Sequence, residues 1–187
     1  MGIDRGARRA VFLDRDGVIN RTVVREGKPY PPDAVSDVEV LPGVPEAMRR
    51  LRAAGYLLVV VTNQPDVARG TQSRARIDAI HARLTRDLPL DDVRCCYHDD
   101  DDACECRKPK PGLLVAAAAA HGIDLAASVM VGDRWRDIEA GLRAGVRATV
   151  LVDYGYREGI SVDPDLRVPS LAAAVDWILA THPPRSR

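Results

Sequence analysis

The sequence predicts an α/β fold, a Rossmann-like doubly wound parallel sheet in a single domain with helices on both faces. Three observations carry that expectation. Five short β-rich runs alternate with five helical patterns, the order that implies a parallel sheet covered on both sides. The leading runs are apolar without polar alternation, as strands buried on both faces are. The strand ends carry Asp14, Thr62-Asn63 and Asp133, and ligands of such sheets bind beyond the carboxyl ends of the strands.

The first strand covers 10–14. Its run Val11-Phe12-Leu13 ends in Asp14-Arg15-Asp16-Gly17-Val18, two carboxylates one residue apart, then a glycine that lets the backbone turn. Carboxylates this close are costly unless a cation neutralises them, so a divalent metal and a phosphorylated ligand are implied. A helix over 44–54 follows, with Pro45 near its start and Gly55 just past its end. The strand over 57–62, Leu57-Leu58-Val59-Val60-Val61, delivers Thr62 and Asn63 to the same edge. Then come a helix over 73–87, a strand over 93–97 and a helix over 111–121. A strand over 128–132 leads to Asp133 and a helix over 136–144. The last pair is a strand over 148–153 and a helix over 170–180. The ends, 1–9 and 182–187, read as frayed, which leaves a core of about 8–181 in one domain.

At 187 residues the chain suits one domain of ordinary size. Lys+Arg and Asp+Glu both total 27, a balance that gives no sign of a nucleic acid or membrane partner. The opening residues have arginines but no apolar run, so neither a signal peptide nor a membrane anchor is expected there, and the cytoplasm is the expected location. Cys95, Cys96, Cys104 and Cys106 crowd together, and in a reducing compartment that clustering favours metal binding over disulfides. Only Lys28, Lys108 and Lys110 among the basic residues are lysines, so a lysine inside a motif stands out.

Four motifs occur in order: Asp14-Arg15-Asp16-Gly17-Val18, Thr62-Asn63-Gln64 after a strand, Arg107-Lys108-Pro109-Lys110-Pro111, and Gly132-Asp133-Arg134-Trp135-Arg136-Asp137. Together they resemble the haloacid dehalogenase superfamily of phosphohydrolases over most of the chain. That resemblance makes Asp14 the nucleophile that accepts a phosphoryl group. It makes Asp16 the general acid for the leaving alkoxide and then the base for water. Thr62 and the neighbouring backbone N–H of Asn63 would donate to a phosphoryl oxygen without adding charge. Lys108 would tether the phosphate and steady Asp14, while Lys110 reads as a flanking charge. Asp133, the Asp14 carboxylate and the Asp16 main-chain carbonyl would hold Mg2+. Asp137 has two readings, a support for the metal site or a first-turn aspartate facing the helix dipole.

A second metal pattern stands beside the third motif. Cys96-x-His98, five residues, then Cys104-x-Cys106 supplies three thiolates and an imidazole, the ligand set of a closed structural Zn2+ site. Zinc there would fix the loop that presents Lys108. Cys95 is expected to point into the core as the alternate residue of its strand. The run Asp99 to Asp102 inside the knuckle is expected to be solvated.

A zinc loop leading into Cys-Arg-Lys-Pro narrows the resemblance to capless phosphatases of heptose bisphosphate and histidinol phosphate. Segments 12–20, 41–48, 59–64 and 104–112, with Ala68-Arg69-Gly70, match the heptose side, whose reaction removes the C7 phosphate of D-glycero-D-manno-heptose 1,7-bisphosphate. The short knuckle loop is closer to the histidinol side. Two departures lie near the expected substrate mouth, Pro65-Asp66 after Asn63-Gln64 and a long 21–37 segment. Neither interval between motifs holds a cap domain, so closure is expected from loops, with 21–37 facing the zinc loop. Arg107 is the first candidate for the non-transferred end of a phosphorylated sugar, Arg69 a weaker one. Arg21, Arg25 and Lys28 read as solvated charges. Capless relatives of this size imply a monomer. A silent phosphosugar-binding domain is the rival from another class, but it has no need of both Asp14 and Asp16.

Overall fold

The computed structural model describes residues 8–25, 28–156 and 162–182. Its strands are β1 (Ala10–Leu13), β2 (Val23–Arg25), β3 (Lys28–Tyr30), β4 (Leu57–Asn63), β5 (Asp92–Cys96), β6 (Val129–Gly132), β7 (Ala148–Val152) and β8 (Leu166–Val168). Its α-helices are α1 (Val44–Ala53), α2 (Arg74–Asp87), α3 (Gly112–His121), α4 (Trp135–Ala144) and α5 (Leu171–Thr181). Six strands form one parallel sheet in the order β5-β4-β1-β6-β7-β8, and β2 and β3 form a separate antiparallel hairpin.

Alternation along β1 shows why the sheet is covered twice. Val11 and Leu13 enter one apolar layer with Met48 and Leu51 of α1, Ile80 and Leu84 of α2, and Val175 and Ile178 of α5. Ala10 and Phe12 enter the other, with Leu113, Leu114 and Ala117 of α3 and Ala140 of α4. All four β1 side chains are wholly buried, so neither face of the strand tolerates polarity. The helices carry matching stripes. In α1 the buried positions are Val44, Ala47, Met48 and Leu51, and in α2 they are Ile77, Ile80, His81 and Leu84, the i, i+3, i+4, i+7 spacing of one helical face. Ser73 and Ser170 cap α2 and α5 by accepting from the main-chain N–H of Arg76 and Ala173.

The chain runs from β1 outward through β4 to β5, then crosses back to β6 on the other side of β1. That reversal opens a crevice at the carboxyl ends of β1, β4 and β6. The fold matches the expected class and all five expected strands and helices. Two strand features among the described residues were not expected. One is β8, three residues that pair with β7. The other is the β2–β3 hairpin inside the 21–37 segment, paired from Val23 with Tyr30.

Candidate active site

Asp14 follows β1, pinned by its main-chain N–H to the Val131 carbonyl of β6 at 2.9 Å. Lys108, from the loop after β5, reaches it across the end of β4. Its Nζ donates to Asp14 Oδ1 at 2.8 Å, to Asp137 Oδ1 at 2.5 Å and to the Val61 carbonyl at 2.7 Å. All three ammonium donors are thereby used, in a side chain only 3% exposed. Burial alone would lower the lysine's pKa, yet Asp137 and Asp14 raise it above the ordinary value, so it is firmly cationic. Asp14 is pushed up to about 6, by burial first, with Lys108 opposing and Asp137 and Asp16 adding to the rise.

Asp133 follows β6 and lies against the Gly17 turn. A Cβ on Gly17, whose φ is +82°, would sit 2.2 Å from Asp133 Oδ2, so only glycine lets the two loops close. Burial, then the charges of Asp14 and Asp137, raise the Asp133 pKa well above the carboxylate range. Its Oδ1 is buried with no hydrogen-bond partner. Carboxylate oxygens of Asp14, Asp133 and Asp137 lie within 4.8 Å of one another. A desolvated, all-oxygen cluster with an orphaned acceptor fits a hard divalent cation such as Mg2+. Asp137 itself is already committed, since its Oδ1 takes Lys108 and its Oδ2 takes the Arg134 N–H at 3.0 Å. It therefore caps α4 and anchors the lysine at once, which joins a first-turn role to support of the site.

Asp16 has the opposite environment. Its carboxylate accepts from Arg15 Nε and Nη2 (3.1 and 2.8 Å), Asn20 Nδ2 (2.9 Å) and Gln64 Nε2 (2.8 Å). Burial opposes ionisation, but Arg15 and these hydrogen bonds outweigh it and hold the pKa below the usual value. Asp16 is therefore ionised here, the form of a base. Arg15 is itself fully buried and shares its remaining Nη1 with His81 Nε2 at 3.0 Å. Burial and then the Arg15 charge lower the His81 pKa to about 4, so its ring nitrogen accepts from Arg15. Gln64 also donates to Thr62 Oγ1 at 2.9 Å, which leaves the buried Thr62 hydroxyl its own proton to give. The Asn63 side chain clamps the main chain of Lys108, donating to its carbonyl at 3.0 Å and accepting from its N–H at 3.1 Å.

The thiol and imidazole ligand atoms of Cys96, His98, Cys104 and Cys106 also lie within 4.8 Å of one another, and none of these cysteines is in a disulfide. Three soft sulfurs and one nitrogen fit a tetrahedral Zn2+. Cys95 departs from expectation. Cys96 is the strand residue that enters the core, while Cys95 points to the opposite side and stays half-buried. β5 is an edge strand whose last residue, Cys96, already belongs to the knuckle, and its alternate face is only partly covered.

A crevice of about 410 Å3 opens above these groups. Asp14, Asp16, Thr62, Lys108 and Asp133 line its floor, and Thr22, Tyr30 and Pro31 from the hairpin segment line one wall. The Cys/His knuckle contributes Asp100 and Arg107, so hairpin and knuckle border the same opening. The acidic run is not simply solvated. Asp99 takes Arg69 in a two-pronged pair at 2.6 Å each, and Asp100 takes both Arg107 (2.9 Å) and Arg136 (2.6 Å). The sequence reading missed Arg15, Asn20 and His81, whose only signal is proximity to Asp16 or a helix stripe, and missed Arg136. A basic residue at the second position of α4, where the strand-end aspartate already marks the site, was the available clue.

Residues 105–174 match the HAD-hydrolase-like family model. The D-glycero-beta-D-manno-heptose-1,7-bisphosphate 7-phosphatase of Escherichia coli K12 is 38% identical over 91% of this chain and 87% of its own length. The chain belongs to this phosphatase family. The D-glycero-D-manno-heptose-1,7-bisphosphate 7-phosphatase of Thermosynechococcus vestitus is 36% identical over 95% of this chain and 99% of the relative. A D,D-heptose 1,7-bisphosphate phosphatase from B. bronchiseptica, solved with magnesium and phosphate, superposes with a TM-score of 0.80 at 33% identity, covering 92% and 98% of the two chains. This protein is accordingly a phosphatase of the haloacid dehalogenase type. Among the described residues no helix is long and apolar enough to cross a membrane.

Proposed function

We propose that the chain removes the C7 phosphate of D-glycero-D-manno-heptose 1,7-bisphosphate, as a monomer in the cytoplasm. The observation that supports the chemistry is the Lys108 ammonium shared between Asp14 and Asp137, beside the orphaned oxygen of Asp133, at the sheet's switch point. The choice of substrate rests on the names of relatives 35–40% identical over most of the chain.

Asp14 Oδ attacks phosphorus and forms an aspartyl phosphate as the sugar alkoxide leaves. Lys108 holds Asp14 in place and offers its charge to the phosphoryl oxygens, and the Thr62 hydroxyl and the Asn63 main-chain N–H donate to them. Asp16 must carry a proton when substrate binds in order to give it to the leaving oxygen. It then returns to the ionised form that Arg15 and its other donors favour and takes a proton from the water that attacks the aspartyl phosphate, releasing phosphate and regenerating Asp14. Mg2+, held by the Asp14 and Asp133 carboxylates and the Asp16 main-chain carbonyl, would neutralise charge on the transferring group. Zn2+ on Cys96, His98, Cys104 and Cys106 would fix the knuckle that ends in Arg107 and Lys108.

A second reading is histidinol phosphate, favoured by the five-residue interval between His98 and Cys104. Specificity constants measured side by side on heptose 1,7-bisphosphate, histidinol phosphate and simple sugar phosphates decide between them. Preference for the heptose bisphosphate is expected, and preference for histidinol phosphate overturns the choice.

A further inference from the structure

The loop that leaves β7 reaches across to the turn that follows β1. The Tyr154 hydroxyl donates to the Gly17 carbonyl at 2.8 Å, over a separation of 137 residues. Gly17 is buried, so an unbonded carbonyl there would be costly. On its other side the Gly17 N–H donates to the Asn20 carbonyl at 2.8 Å. Both peptide planes that meet at Gly17 are thereby held, one from inside the turn and one by Tyr154. Tyr154 is itself set in place. The Asp153 carboxylate accepts from the Gly155 N–H at 2.8 Å, and the Asp153 N–H reaches the Val168 carbonyl at 2.9 Å. The Tyr154 ring stacks on Tyr156 with centroids 5.6 Å apart.

The turn matters because of what it carries. The Asp16–Gly17 peptide includes the carbonyl that the Mg2+ reading uses, and Gly17 lies against Asp133, where a Cβ would sit 2.2 Å from Oδ2. A glycine has more alternative conformations than any other residue, so the hydrogen bonds on either side of Gly17 decide which one is populated. Neither Tyr154 nor Tyr156 lines the crevice, whereas Asp133 and Thr22 do. Both phenols nevertheless feel the Asp133 charge. Burial first and then Asp133 raise the Tyr154 pKa, and the same two causes push Tyr156 up to about 12. The pair therefore stands behind Asp133, on the side away from the substrate.

We propose that Tyr154 is a positioning residue for the Mg2+ site, acting through the Gly17 carbonyl to hold the Asp16 main-chain carbonyl in register with the Asp133 carboxylate. It touches neither the ion nor the substrate. This rests on the Mg2+ reading given above and adds to it a residue from β7, a strand that carries none of the acids. Without the hydroxyl the turn spreads over several orientations, and the ion has to select the competent one. Its apparent dissociation constant then rises as the competent fraction shrinks.

The test is Mg2+ binding by titration calorimetry on the purified protein with its knuckle metal in place, in wild type, Tyr154→Phe, Tyr154→Leu and Asp133→Asn. Unfolding curves without Mg2+ are recorded in parallel. Tyr154→Phe keeps the stack on Tyr156 and removes only the donor. It is expected to weaken Mg2+ binding about three- to tenfold, the range open to one hydrogen bond. Tyr154→Leu should fall in the same range, because the hydroxyl and not the ring carries the effect. A merely structural Tyr154 lowers stability and leaves the dissociation constant where it was. An unchanged constant in Tyr154→Phe therefore overturns the proposal, as does a loss confined to Tyr154→Leu. If wild type binds no Mg2+, or if Asp133→Asn binds it as tightly, the metal reading is what fails. If wild type binds and Asp133→Asn does not, while Tyr154→Phe matches wild type, the failure belongs to Tyr154 alone.

Discussion

The floor and the rim of the crevice are built from the same residue types and behave differently. On the floor, Lys108 lies between Asp14 and Asp137 with 3–12% of each side chain exposed. On the rim, Arg69 and Asp99 pair with 44% and 31% exposed, and Asp100 is half in water. Ion pairs in water gain little net free energy, whereas a buried charge stripped of its partner leaves a large desolvation cost behind. The floor is therefore a rigid arrangement that cannot lose a member, and the rim is a set of exchangeable contacts. In the proposed reaction, chemistry belongs to the first.

The largest expected effect on stability comes from Lys108→Met. It leaves Asp14 and Asp137 buried without a cation and should cost about 3–5 kcal/mol of stability, with turnover reduced by about a thousandfold or more. Denaturant unfolding and steady-state rates measure both. A loss below about 1 kcal/mol would erase the contrast between floor and rim.

Removal of the knuckle metal is next. Chelation, or Cys104→Ser, should lower stability by roughly 3 kcal/mol, a fall of about 10 °C in Tm, because closed Cys/His sites contribute folding free energy directly. Metal analysis of the purified protein should find about one zinc per chain. A value near zero would remove the zinc assignment.

His81 gives a pH dependence with a definite sign. Its folded pKa of about 4 lies below the ordinary 6.5, so between those values the unfolded chain binds a proton that the folded chain refuses. Its contribution is fully present above pH 6.5 and is lost as pH falls toward 4, by up to roughly 3 kcal/mol at about 1.4 kcal/mol per pKa unit. His81→Gln keeps an acceptor for Arg15 and removes the titration. Unfolding curves at pH 7 and pH 5 should lie closer together in that variant than in wild type, and an equal separation would dismiss His81 as the cause.

The smallest effect belongs to the rim. Arg69→Ala breaks the pair with Asp99 and should change stability by less than about 1 kcal/mol, since both side chains are well exposed. Thermal unfolding checks it, and a cost near that of Lys108→Met would mean the rim is structural after all.

The same division governs what was legible in the sequence. The floor was readable because strand ends are fixed by local pattern. An apolar run that stops at Asp14, Thr62 or Asp133 has to present those side chains at the sheet's edge. The knuckle was readable because its four ligands lie within a few residues. The rim pairs join residues 30 and 36 positions apart, Arg69 with Asp99 and Arg136 with Asp100, and only the folded loops bring them together. Reading the acidic run as solvated followed from its charge and missed the arginines facing it. The β8 strand escaped because it is three residues long, with Pro164 and Pro169 close on either side. The hairpin escaped because Lys28-Pro29-Tyr30 carries little strand propensity and is held by pairing with β2. Arg15, wholly buried behind Asp16, was invisible for a different reason. An arginine reads as a surface residue until burial and two acceptors, Asp16 and His81, show otherwise.

The most direct test of the account is Mg2+-dependent turnover of a small aryl phosphate by wild type and by Asp14→Asn, with circular dichroism confirming that both are folded. Such a probe makes no use of the rim and reports on the floor alone. Wild type should turn it over, and the variant should fall by about ten-thousandfold or more, as expected for loss of a nucleophile. Retained Mg2+-dependent turnover in folded Asp14→Asn would contradict the account.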